Sequence, residues 1–133
     1  MIDAVQQARL TSALWECDRN RAALDEALRD WHSRPEPNEQ SLELDSSLRR
    51  LTDQILYRFT KLQDAMRDRL DRLEKLGFLD VDALLQWREV RNRLAHEYPD
   101  QTALRHSAVL ATVAAAQAMG SGYAGWKAKL AGD

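Results

Sequence analysis

Between Leu44 and Leu73 the apolar residues Leu44, Leu48, Leu51, Ile55, Phe59, Leu62, Met66, Leu70 and Leu73 recur at a mean spacing of about 3.6 residues, the period of an α-helix. A strand places alternate residues on one face and cannot gather these positions into one stripe. The rest of the chain is equally poor in residues that turn a backbone. Five Gly and three Pro in 133 residues amount to about 6 % against a usual ~12 %, so turns are few and the elements between them long. Barrels, sandwiches and doubly wound sheets, which need many turns, are excluded.

The other helices follow from the same pattern. Asp3 to about Ser33 contains neither Gly nor Pro, and Leu14, Cys17, Leu24, Leu28 and Trp31 form an apolar stripe interrupted at Arg21, a polar gap or a snorkelling side chain. Pro35 and Pro37 end this helix, because each proline disfavours helical geometry in the residue before it. The Leu44–Leu73 stripe forms the second long helix, and Gly77 suits the left-handed residue that closes it. Asp80 or Asp82 caps a third helix running to about Glu97, with Ala83, Leu84, Trp87, Val90 and Leu94 inward and Pro99 as its stop. Asp100 caps a fourth from about Gln101 to Met119, in which Arg105 is the one formally charged side chain, so this helix is buried in the bundle or in a homodimer interface. Gly120-Ser121-Gly122 is expected to break it, leaving Tyr123 to Leu130 as a short separate C-terminal helix. The expected architecture is an all-α, antiparallel up-and-down four-helix bundle forming one domain over residues 1–133.

Lys plus Arg number 19 and Asp plus Glu 21, a net charge of −2. Nothing in that balance draws the whole molecule to nucleic acid or anionic lipid, so a nucleic-acid site has to be a local patch. A lone cysteine, Cys17, on the apolar stripe reads as a small core residue. The N-terminal residues lack a basic start and an apolar stretch, so a reducing, cytoplasmic setting is expected, with no membrane partner.

Most catalytic templates are missing from the sequence: it has no glycine loop for phosphate, no paired cysteines, no His-Glu-x-x-His and no nucleophile elbow. His32, His96 and His106 are not at metal-ligand spacing, and His32 and His106 read as structural. Trp15, Trp31 and Trp87 read as core or interface residues, while Trp126 beside Lys127 is an aromatic and basic pair able to meet nucleic acid. The stretch that stands out is Arg88-Glu89-Val90-Arg91-Asn92-Arg93-Leu94-Ala95-His96-Glu97-Tyr98-Pro99. On a helix Arg88, Asn92 and His96 share one face, whereas Arg91 lies about 140° round from His96. Arg91 and His96 therefore converge if the helix end distorts, if the long Arg wraps across Asn92, or if two chains complete one site. A histidine beside arginines suits phosphodiester chemistry, since an imidazole with pKa near ~6.5 moves protons at neutral pH and guanidinium groups stabilise a phosphorane.

Arg91, Asn92, His96 and Tyr98 resemble the signature of the HEPN superfamily, and more closely its HepT-like branch, whose pattern is Arg-Asn-x-x-x-His-x-Tyr. The full pattern is expected by chance in about two of ten thousand chains of this composition. The resemblance covers roughly Leu48 to Met119. It implies an all-α homodimer acting as a metal-independent endoribonuclease toxin of a type II/VII-like toxin–antitoxin module of the HepT/MntA kind. His96 would be the general acid or base for attack by a ribose 2′-hydroxyl, Arg91 the phosphate-binding residue, and Asn92 the group that orients one of them. The implied partner is a minimal nucleotidyltransferase antitoxin that uses ATP and Mg²⁺ to adenylylate Tyr98; the chain itself would need no cofactor. The alternative is a non-catalytic HEPN binding module serving as partner or substrate-binding subunit of a nucleotidyltransferase.

Overall fold

The computed structural model describes residues 4–74, 86, 89–90 and 102–132, with the side chains of 6, 67–74 and 130–132 left aside. Every described residue outside the connection 34–38 and Asp45 is helical. Helix α1, Ala4–Ser33, is about 45 Å long at 1.5 Å per residue. Its stripe is buried as the spacing predicts: Cys17, Leu24, Leu28 and Trp31 lie in the core with Ala13 and Ala27, and Leu14 packs on its edge. At the interruption, the half-buried Arg21 sets its Nε 3.5 Å from Asp25 Oδ2 one turn along.

At the end of α1 the Arg34 amide donates to the Trp31 carbonyl (3.2 Å), and the Arg34 side chain reaches back to Asp30 and across to Ser47. A short helix, α2 (Glu39–Leu44), follows, and the sequence reading had no place for it. Asn38 caps it: Asn38 Oδ1 accepts from the Ser41 amide at 2.8 Å, while the Asn38 amide donates to Ser41 Oγ at 3.2 Å. Asp45, with φ −91° and ψ 105°, then breaks the helix and caps the next, its carboxylate accepting from the Ser47 and Leu48 amides at 3.0 and 3.1 Å. Helix α3 therefore runs Ser46–Glu74. Leu44 does not begin the stripe; the extended residue after it turns it away, and it is 81 % exposed. Leu48, Leu51, Ile55, Phe59, Leu62 and Met66 are all buried, while the side chains of Leu70 and Leu73 lie outside the described residues.

Most of the expected third helix also lies outside the described residues, but Gln86, Glu89 and Val90 are helical and Val90 packs against the core. Helix α4 runs unbroken over Thr102–Gly132. The expected break at Gly120-Ser121-Gly122, with a separate C-terminal helix after it, does not occur. Each helical Gly costs about 1 kcal/mol relative to Ala, and burial of Met119, Tyr123 and Trp126 on both sides of the glycines outweighs that cost.

Helix α1 packs most extensively against α3, which returns along it from the 34–45 connection. Contacts between α1 and α4 run in opposite order along the two chains: His32 meets Gln117, Gly120 sits beside Asp25 and Arg21, and Tyr123 and Lys127 meet Asp18. The two helices are therefore antiparallel. The described residues form a helical bundle around one core, as the sequence reading expects at that level of detail. No described helix is long and apolar enough to cross a membrane.

A methyl group on Gly120 would meet Asp25 Oδ1 at 3.8 Å and Arg21 Nε at 3.9 Å, ordinary contact distances, and one on Gly125 would meet nothing within 4 Å. Gly120→Ala and Gly125→Ala are each expected to stabilise the protein by about 0.5–1 kcal/mol, read as a raised urea midpoint at unchanged slope. A loss of stability in both would show that the helix is not continuous there.

Candidate functional site

Arg91, Asn92, His96 and Tyr98 lie outside the described residues. The residues just before them do not. Glu89 is exposed and Val90 half-buried on one helical stretch, so the chain enters the arginine-rich segment as a helix with an inward apolar residue. Among the described residues no group of three or more His, Cys, Asp or Glu gathers to hold a metal ion.

Three polar arrangements stand out among the described side chains. The first joins α1 to α4. Tyr123 is fully buried, and its hydroxyl donates to Asp18 Oδ1 at 2.8 Å, while Lys127 Nζ donates to Asp18 Oδ2 at 2.6 Å. The Trp126 ring lies 5.9 Å from that of Tyr123. Burial, and then the bond to Asp18, push the Tyr123 hydroxyl well above the ordinary tyrosine range, so it stays protonated as a donor. A phenol held this way is a poor nucleophile or base. The trio is a structural tie, and it takes up both members of the Trp126–Lys127 pair: Trp126 is 5 % exposed and Lys127 is bound to Asp18, so this pair does not offer a surface to nucleic acid.

The second arrangement secures the connection to α2. Arg105 of α4 pairs with the Glu43 carboxylate, and Arg49 of α3 donates to the Glu43 carbonyl. His106 Nε2–H donates to the Pro37 carbonyl at 2.8 Å, and exposed His32 shares a 3.2 Å bond with Gln117. Both histidines thus hold helix ends and connections together, in keeping with a structural reading.

The third lies on the solvent face of α3. Tyr57 is 52 % exposed, with the Arg58 guanidinium carbon 5.3 Å and Lys61 Nζ 5.6 Å from its ring centre. One and two turns back, Gln54 and Arg50 are exposed on the same side. None of these residues is among the site candidates read from the sequence. Their signal was present in the pattern: an aromatic outside the apolar stripe, with cations one and four positions on.

An apolar surface lies on α1. Trp15 is 63 % exposed, so it is no core residue, whereas Trp31 is; Trp87 lies outside the described residues. Trp15 borders an open cavity of ≈ 650 Å³ along the N-terminal half of α1, lined by Ala4, Gln7, Ala8, Thr11 and Ser12. No titratable side chain is among the described residues that line it. Comparison with family models, with curated proteins and with solved structures gives no match to this chain.

Tyr123→Phe removes one hydrogen bond to a carboxylate that keeps its lysine partner. The expected cost is about 1–2 kcal/mol, seen as a Tm lower by several degrees. The folded hydroxyl resists ionisation whereas the unfolded one loses its proton near pH ~10. The wild type should therefore hold the Tyr123 contribution below about pH 10 and lose it steadily above. Parallel melts of wild type and Tyr123→Phe from about pH 8 to 11 should converge as pH rises; a constant gap would refute the assignment.

Proposed function

We propose that the chain is a HepT-like endoribonuclease toxin that works as a homodimer and is silenced by a nucleotidyltransferase antitoxin. The observation that carries this reading is the four-residue pattern Arg91-Asn92-x-x-x-His96-x-Tyr98. The all-helical architecture of the described residues and the helix leading into Arg91 are compatible with it.

In the proposed reaction the ribose 2′-oxygen attacks the adjacent phosphorus, the new P–O2′ bond forms and the P–O5′ bond breaks. The products are a 2′,3′-cyclic phosphate and a free 5′-hydroxyl. One proton leaves the 2′-hydroxyl and one arrives on the departing 5′-oxygen, and His96 handles one of these transfers as general base or acid. Arg91 binds the scissile phosphate and stabilises the charge gathering on its oxygens, which a planar guanidinium does with two parallel donors. Asn92 orients one of the two. Adenylylation at Tyr98, two residues beyond His96, would add a bulky anion beside the site and stop it. Transfer of AMP joins the Tyr98 oxygen to the α-phosphorus of ATP and releases pyrophosphate, with Mg²⁺ and ATP handled by the partner.

Induced expression tests the reading directly. The wild type should arrest growth and degrade RNA, while His96→Ala and Arg91→Ala should each cut RNA about 10²–10⁴-fold more slowly. Wild type that is folded, free of its partner and leaves RNA intact would sink the nuclease assignment. Incubation with the partner, ATP and Mg²⁺ should add AMP to the wild type and not to Tyr98→Phe, as read by intact mass. AMP retained in Tyr98→Phe would move the modification elsewhere.

A further inference from the structure

We propose that the solvent face of α3 around Tyr57 is a docking track for single-stranded RNA. The proposal deepens the endoribonuclease reading and rests on it for the choice of RNA as ligand; the geometry of the track stands on the residues themselves.

Arg50, Gln54, Tyr57, Arg58 and Lys61 fall within about 100° of the helix circumference and span about 16 Å along the axis. All are exposed except Arg58, which is half-buried. None of the three cations forms a salt bridge among the described residues, whereas Arg21, Arg34, Arg105 and Lys127 are each committed to a carboxylate. In a chain of net charge −2, three uncommitted cations around one exposed aromatic make the local patch that an anionic ligand requires. Asp53 and Asp64 lie along the edge of this face beside Tyr57, Arg50 and Lys61 run along its middle, and Arg58 stands on the far edge, so a phosphate backbone is drawn to the Arg58 side, away from the two carboxylates.

The aromatic selects single strands. A Tyr ring on a convex helix face can stack on an unpaired base but cannot reach one inside a duplex. Arg58 and Lys61 already lie against the ring, and each such contact at an exposed site is worth about 0.5–1 kcal/mol. Stacking of a base is worth about 1–3 kcal/mol. A base can therefore displace one cation from the ring, and the displaced side chain is long enough to turn to a neighbouring phosphate. Ring and cations thus act on the same nucleotide, the ring on its base and the cations on its backbone.

The test is fluorescence anisotropy of the wild type with a labelled single-stranded oligouridine carrying 2′-O-methyl groups, which the proposed reaction cannot cut. Three phosphate contacts predict a slope of about −2 for the logarithm of affinity against the logarithm of salt concentration. Lys61→Gln and Arg58→Gln should each flatten that slope by about 0.7. Tyr57→Ala should weaken binding about 5- to 100-fold while Tyr57→Phe retains it, and circular dichroism should show all variants folded. Binding that is unchanged in Tyr57→Ala and in Arg58→Gln/Lys61→Gln, or equally tight for a duplex, would overturn the track. RNA cleavage with no oligonucleotide bound through these residues would overturn the track and leave the nuclease reading intact. Binding through them in a protein that never cuts RNA would support the track and overturn the nuclease reading.

Discussion

The contact between the apolar stripes of α1 and α3 orients the rest of the molecule. Leu24 and Cys17 on one side, Ile55, Phe59 and Leu62 on the other, are essentially removed from solvent. Burial of side chains of this size is worth about 1.5–3 kcal/mol each before the entropy of ordering them is counted. Because an α-helix has one rotational setting that buries its stripe, fixing that face also fixes what points outward. Tyr57 and its cations face solvent on α3 for the same reason that Phe59 faces inward. Trp15 lies outside the same arrangement on α1, two residues and so about 160° round from each of the buried Ala13 and Cys17.

Much of this was legible in the chain, and the failures have physical causes. The period of the Leu48–Met66 stripe specified α3, and the Pro35 and Pro37 pair specified the end of α1. Leu44 fits the same period yet ends α2 and lies outside α3. The local signal there was capping chemistry at Asp45-Ser46-Ser47, and a free carboxylate that satisfies two amide donors outweighs one further apolar residue in register. Helix propensity alone predicts a break at Gly120 and Gly122, because it takes no account of burial. Once Met119, Tyr123 and Trp126 have a core to enter, the penalty of two glycines is smaller than the gain.

The site residues divide differently. Arg91, Asn92, His96 and Tyr98 form a pattern readable in sequence order, since four positions within eight residues need no tertiary information. The Asp18–Tyr123–Lys127 tie has no such signature. Asp18 stands more than a hundred positions from Tyr123 and Lys127, and only the antiparallel register of α1 and α4 brings it to them. The patch on α3 is an intermediate case. Its spacing was visible, but whether its cations were committed to neighbouring carboxylates depended on which acids the fold placed beside them.

Helix α4, unbroken over Thr102–Gly132, carries one last consequence. With no hinge at its glycines, it behaves as a single rod whose two ends cannot shift independently. Near its start it is fastened to the α2 region through Arg105 and His106; near its end it is fastened to α1 through Tyr123 and Lys127. The same helix thus links the end that follows the arginine-rich segment in the chain to Asp18, some 30–40 Å away at 1.5 Å per residue.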